Sequence, residues 1–355
     1  MHQIAALLDA ALAAHVGSAV ALSIGDGGVE RERLVRGATQ RLPAPGAPVD
    51  NDTPFDLASL TKPMAAAALA MVLVGDGALD LDAPVRRWLA GAATAATVRQ
   101  LLGHAGGCAA HVEFFRALRT GEHADPRAEL VALAARHPAG PPGVAALYSD
   151  LGYILLGAVL ERAAGRPLDE AFRSAVAEPL DLGGARYPGT AALPGAVATE
   201  IDDRGLVVGR VHDENAYFAG GICGHAGLFA TIGDVAAFAA AFVETAAGRA
   251  RGRWRPEVVQ RFLADRPAPG ATWRLGWDAP SAEPGVSHAG DRWPRTAAVG
   301  HTGFTGTSLW LDLARGRWVA LLTNRVHPTR NGTADAIKAL RRAVGDAAIA
   351  MLDRR

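Results

Sequence analysis

Cysteine is nearly absent: the 355 residues include only Cys108 and Cys223. They lie far apart and without metal-ligand spacing, so no disulfide framework is implied and two buried thiols are the reading. Net charge is missing as well, since 36 basic residues balance 36 acidic ones. Nothing in that balance calls for nucleic acid or an anionic membrane as a partner. No apolar run of about 18 residues stands out as a membrane span. Residues 1–9 carry no basic stretch and are broken by Asp9, so they read as an amphipathic helix and not a signal peptide, and a cytoplasmic location is expected. What the chain does have is apolar mass: half of its residues are hydrophobic. That suffices for a large core, as one big domain or two lobes.

After a first helix over 3–14, residues 18–24 alternate and suit a strand. Gly25-Asp26-Gly27-Gly28 then turns the chain into a second strand over 31–37. A Pro-rich loop over 42–52 follows. From 59 to 263 the pattern is helical, broken by Gly and Pro, with segments at 98–102, 112–118, 129–135, 151–164 and 235–245. Strands return at 273–277, 297–300, 307–313 and 317–323, and a helix over 334–352 closes the chain. The expected class is α/β (α+β), a single domain over 1–355. Its antiparallel sheet would draw on 1–58 and 264–355 with the terminal helices beside it, and 59–263 would form a mostly helical lobe. A ligand cleft belongs between the two.

Three stretches carry chemistry. In Ser59-Leu60-Thr61-Lys62, serine opens an Ala-rich helix and lysine lies three residues on, on the same face. The lysine can take the hydroxyl proton, and the positive helix end favours the charge that develops. On spacing alone an N-cap serine and a surface lysine are the commoner explanation. Downstream, however, Tyr148-Ser149-Asp150 precedes an apolar helix, and His301-Thr302-Gly303-Phe304 sits between two strands.

In that order the three stretches resemble the serine β-lactamase and penicillin-binding-protein superfamily. The likeness is to the class C β-lactamase, D,D-peptidase and family VIII esterase branch, with its S-x-x-K, Y-x-N and K-T-G or H-T-G motifs, and it spans the whole chain. It implies a β-lactamase/transpeptidase-like fold and acyl-enzyme chemistry without cofactor or metal. Ser59 is then the nucleophile, Lys62 its base, and Tyr148 a partner that passes the proton to the leaving group. His301 replaces the frequent lysine and orients the proton network or a substrate carboxylate. Thr302 and Gly303 let substrate backbone lie along the strand edge, and the N–H groups of Ser59 and Phe304 form the oxyanion hole. Asp150 departs from the usual asparagine: it only accepts hydrogen bonds, and it should hold Lys62 charged.

A narrower likeness, in His212-Asp213-Glu214-Asn215, in Gly224-His225-Ala226-Gly227 and in Asn324-Arg325-Val326-His327, is to bacterial enzymes of cell-wall peptide turnover, including muramyl-peptide amidases. Arg325 and His327 are candidates for a substrate carboxylate or phosphate, a strand-end salt bridge being the alternative. Glu214 and Asn215 are candidates for substrate contact. His212, Asp213 and His225 have donor types that suit zinc but match no metal spacing, and read as residues pinning a loop. His104, His111 and His137 read as ordinary loop or helix-end histidines. The expected partner is a small-molecule or peptide substrate: a muropeptide, an ester or a β-lactam. The leading reading is an amidase on peptidoglycan-derived fragments. Its alternatives are a carboxylesterase with weak β-lactamase activity and a catalytically silent muropeptide-binding module.

Overall fold

A computed structural model describes residues 2–354. Both ends of the chain meet in one five-stranded antiparallel sheet. Its strands are β1 (Ala19–Asp26), β2 (Val29–Gly37), β3 (Ala298–Thr302), β4 (Ser308–Asp312) and β5 (Arg317–Thr323), in the order β2-β1-β5-β4-β3. The hairpin β1–β2 joins the C-terminal strands through the β1–β5 ladder, with Val20 opposite Thr323 and Asp26 opposite Arg317.

The period of two along β1 explains how the sheet is covered. Val20, Leu22 and Ile24 face a cluster supplied by the helices His2–Ala13 and Ala334–Leu352, through Ile4, Leu8, Val344 and Ile349. The intervening positions Ala19 and Ala21 are small. They face the other way, into a larger core that includes Phe238 and Phe242 of the helix Ile232–Ala246. Small residues there let that helix lie close on the sheet, so residues 232–246, read from sequence as part of the helical lobe, pack against β1, β4 and β5.

Residues 273–277 are not a strand. The Arg274 N–H turns back to Trp277 O (2.7 Å), while Leu275 and Gly276 donate to Phe262 O and Leu102 O. Gly276 has φ +92°, and a Cβ there would lie 2.4 Å from Ala67 Cβ. The alternation Trp-Arg-Leu-Gly-Trp therefore reflects a segment threaded between helices and not a ladder.

The stretch Ala58–Gly75 does meet the length and hydropathy of a membrane span, contrary to the sequence reading, but 83% of it is buried inside the protein. It is a central helix of the larger core. It is also irregular: a 3₁₀ turn over Ala58–Leu60, a π-helical stretch over Lys62–Ala67, then α-helix over Ala68–Gly75. Wide and narrow turns inside one helix often mark functional positions.

Candidate active site

The irregular start of the central helix places Ser59 on the wall of a cavity of about 650 Å³. Ala58, immediately before it, holds φ +47°, a left-handed conformation that costs a non-glycine residue about 1 kcal/mol. Buried Asp56 keeps it there. Its Oδ1 accepts the Ala58 N–H (2.8 Å) and its Oδ2 accepts the His212 N–H (2.7 Å). Burial pushes the Asp56 carboxyl above its ordinary pKa, and those two N–H groups pull against it. The turn after β3 is tied to the same place, with Thr305 Oγ1 donating to Asp56 O and Thr307 Oγ1 to Leu57 O. Gly303 is required by this approach: a Cβ would lie 2.1 Å from Thr307 Oγ1 and 2.5 Å from Leu57 O.

Lys62 Nζ, with its side chain fully buried, donates to Ser59 Oγ (2.9 Å), Asp150 Oδ1 (2.8 Å) and His225 O (3.2 Å). Burial works to lower the lysine pKa, but the charges of Asp150 and Tyr148 outweigh it and raise the value above that of a free lysine. Asp150 in turn is driven far below the ordinary carboxylate range. Burial opposes this, while Lys62 and His111 favour it. The expectation that Asp150 holds Lys62 charged therefore matches the geometry.

Tyr148 sits just before the helix Asp150–Ala164, whose N-cap is Ser149, its Oγ accepting the Gly152 N–H (3.0 Å). The Tyr148 ring lies 4.8 Å from Lys62 Nζ. Burial raises the phenol pKa, and Lys62 and Ser59 favour its ionised form. His104 packs under the ring at 4.6 Å and accepts the Ser149 N–H through Nδ1 (3.1 Å). It is a neutral support for the tyrosine turn, its pKa held well down chiefly by burial.

His301 is buried, and its Nδ1 lies 2.8 Å from Thr302 O. Burial, then the Lys62 charge, push its pKa down to about 3. The neutral ring thus donates from Nδ1 and turns an acceptor Nε2 to its surroundings. The expectation that His301 orients a substrate carboxylate loses its physical basis, since a neutral imidazole brings no charge. Orienting the proton network, with Tyr148 5.9 Å away between ring centres, remains. Thr302, Gly303 and half-exposed Phe304 line the cavity with Trp273, which is one of its walls. Among the described residues, neither the Ser59 nor the Phe304 N–H donates to a protein acceptor.

Arg325 lines the same cavity with no carboxylate in ion-pair distance among the described residues, so the strand-end salt bridge is not formed. Its Nε donates to Phe304 O (2.8 Å), and its guanidinium lies 4.4 Å from the Phe304 ring centre. Arg341, on the closing helix, is a cavity residue the sequence reading missed. Its Nη2 donates to Gly303 O and Thr307 O (both 2.8 Å). Burial, then the Arg325 charge, push its pKa down to about 9. Two buried cations without an ion-pair partner among the described residues, on a cavity wall that elsewhere carries Asp150, Asp213, Glu214 and Asp278, offer a local site for an anionic ligand group.

The remaining candidates are held by one another. His212 Nε2 lies 2.8 Å from Glu200 Oε2, and Arg330 bridges Glu200 (2.6 Å) to Glu214 (2.5 Å). His225 Nε2 lies 3.0 Å from Asp213 Oδ1. Asn215 is buried and spent on Phe115 N–H and Val112 O, so it does not reach the cavity, whereas Glu214 lines it. His212 and His225 face different carboxylates, and among the described residues no group of three or more potential ligands is gathered as a metal site would require. His111, read as an ordinary loop histidine, is at the cavity wall with Nδ1 3.3 Å from Asp150 Oδ2. His327 accepts the N–H groups of Arg41 and Leu42 and is structural.

Comparison with known proteins bears on this arrangement. The chain is 27% identical over 333 residues to a putative D-alanyl-D-alanine carboxypeptidase of Escherichia coli K12, covering 85% of this chain and 73% of that protein. It is 28% identical over 308 residues to an N-acetylmuramyl-L-alanine amidase of Bacillus subtilis, covering 78% and 68%. Among solved structures, EstCE1, a hydrolase with promiscuous acyltransferase activity, superposes with TM-score 0.75 at 22% identity, covering 97% of this chain and 98% of that one. The octameric penicillin-binding protein homologue from Pyrococcus abyssi gives 0.74 at 18%, covering 99% and 77%. These two likenesses concern the fold. The family model described as Beta-lactamase matches residues 4–343, nearly the whole chain, and the protein belongs to that family of serine hydrolases.

Proposed function

We propose that the protein hydrolyses an amide bond in peptidoglycan-derived muropeptides through an acyl-enzyme on Ser59. The observation that carries the chemistry is the 2.9 Å contact between Lys62 Nζ and Ser59 Oγ at the wall of a substrate-sized cavity. Once the Lys62–Tyr148 pair has given up one proton to solvent, Ser59 Oγ attacks the carbonyl carbon as its own proton passes to the base site so created, and the N–H groups of Ser59 and Phe304 receive the oxyanion. Because Asp150 keeps Lys62 charged, Tyr148 carries the larger share of proton transfer and returns the proton to the leaving amine. Water then repeats the sequence on the acyl-enzyme.

Substrate class rests on two supports. The curated relatives are named for cell-wall peptide bonds, and Arg325 and Arg341, neither in an ion pair among the described residues, can receive a carboxylate of a stem peptide at the cavity wall. Asp150, an acceptor only, favours a substrate N–H where an asparagine would take a carbonyl. Mass spectrometry of a soluble muropeptide mixture, with wild type and Ser59→Ala, tests the reading. Release of free peptide from the muramyl lactyl group by wild type alone supports the amidase. Loss of a terminal alanine makes it a carboxypeptidase, and no change in any fragment removes cell-wall peptides as substrates.

A further inference from the structure

We propose that His111 is a positioning residue whose charge, transmitted through the Asp150 carboxylate, governs how readily the Lys62–Tyr148 pair gives up the proton that must leave before Ser59 can be activated. This rests on Ser59 being the nucleophile. The geometry is a chain of four groups. His111 Nδ1 lies 3.3 Å from Asp150 Oδ2, Asp150 Oδ1 lies 2.8 Å from Lys62 Nζ, and Lys62 Nζ lies 2.9 Å from Ser59 Oγ. The two ends differ in access: Lys62 is sealed, whereas the His111 side chain is nearly half exposed and exchanges protons with water.

One carboxylate serves both cations. While His111 is charged, Asp150 is shared and holds Lys62 less tightly; once His111 is neutral, the full carboxylate field falls on Lys62. A positive His111 therefore makes the pair easier to deprotonate, whether the proton leaves from lysine or from tyrosine. The other charges facing His111 are Asp213, its partner His225 and the neighbouring Glu113. Asp213 and His225 form a buried ion pair that keeps its charges through the neutral range. Glu113 pairs with Arg116 at the surface. Asp150 and, more weakly, Asp213 place the His111 transition above that of a free histidine.

Two unit charges on opposite oxygens of one carboxylate are on the order of 7 Å apart, which at an effective dielectric constant of about 20 shifts a proton equilibrium by one to two pH units. Solvent at half-exposed His111 cuts this to about half to one unit, or a three- to tenfold change in rate.

The test is the second-order rate of Ser59 labelling by a fluorophosphonate across pH, in wild type, His111→Gln and His111→Lys, with Ser59→Ala as control. Below the His111 transition wild type should react three to ten times faster than His111→Gln, and above it the two should converge. His111→Lys, still charged, should keep the faster branch into alkaline pH. A merely structural histidine would lower the rate equally at every pH in both variants, and such parallel profiles, or coincident ones, overturn the proposal while leaving Ser59 in place. Labelling that survives in Ser59→Ala removes the nucleophile and this role with it. Circular dichroism of each variant separates misfolding from these outcomes.

Discussion

Asp150→Asn is the substitution whose consequences the geometry fixes most closely. The carboxylate is 2.8 Å from a lysine ammonium that has no contact with solvent. Removing one partner of such a pair leaves a buried charge uncompensated, at a cost of about 3–5 kcal/mol. Lysine has an escape that caps the cost. From its ordinary pKa of about 10.4, giving up the proton at pH 7 costs about 4.6 kcal/mol, and burial lowers that figure further. Asparagine also keeps an oxygen that can accept from Nζ. Net destabilisation at pH 7 should therefore be about 2–4 kcal/mol, read by urea unfolding. The larger effect is on reactivity. Burial is the leading influence on Lys62 and acts to lower its pKa, and Asp150 is the first of the groups opposing it. Without that carboxylate, the acid limb of fluorophosphonate labelling should move down by about two units or more, and labelling at pH 7 should rise at least about tenfold. An acid limb that stays where wild type has it would refute the reasoning, because the proton on Lys62 would then not limit activation of Ser59.

Tyr148→Phe removes the hydroxyl beside Lys62 and Ser59; labelling and turnover should fall by about 10²–10⁴, with circular dichroism unchanged. Arg325→Ala should lower kcat/KM for a carboxylate-bearing peptide by about ten- to a hundredfold, the worth of a charge-assisted hydrogen bond, yet leave a neutral acetate ester nearly unaffected. The His225–Asp213 pair predicts a pH dependence of stability. Burial opposes the charge on His225, but Asp213 lifts its pKa to about 10 from an ordinary 6.5. A raised folded-state pKa stabilises fully below 6.5 and is lost as pH rises toward 10. Unfolding free energy should decline across that window in wild type and be flatter in Asp213→Asn; equal slopes would mean that His225 is not charged in the native state.

Much of the site was legible because its chemistry needs particular residue types at particular spacings. The order hairpin, helices, sheet was legible because β1, β4 and β5 alternate or run apolar as buried strands do. Residues 273–277 show the limit of that signal, since alternation reports burial on two sides and not what the backbone bonds to. His111, Arg341 and Asp56 were missed for one physical reason. Each acts across more than thirty residues of sequence, on Asp150, on the Gly303 turn and on the His212 loop, and such pairings leave no local pattern; the further contact of Asp56 with the Ala58 N–H is local but is one that any Asx turn makes.

The account stands on Ser59 as the group that becomes acylated. Intact-protein mass spectrometry after incubation with a penicillin and, separately, a fluorophosphonate tests that directly, followed by mapping of the modified peptide. The expected result is a single adduct on wild type from the fluorophosphonate, located on Ser59 and missing from Ser59→Ala, with any penicillin adduct at the same residue. An unlabelled wild type, or an adduct of equal yield in Ser59→Ala, would contradict it.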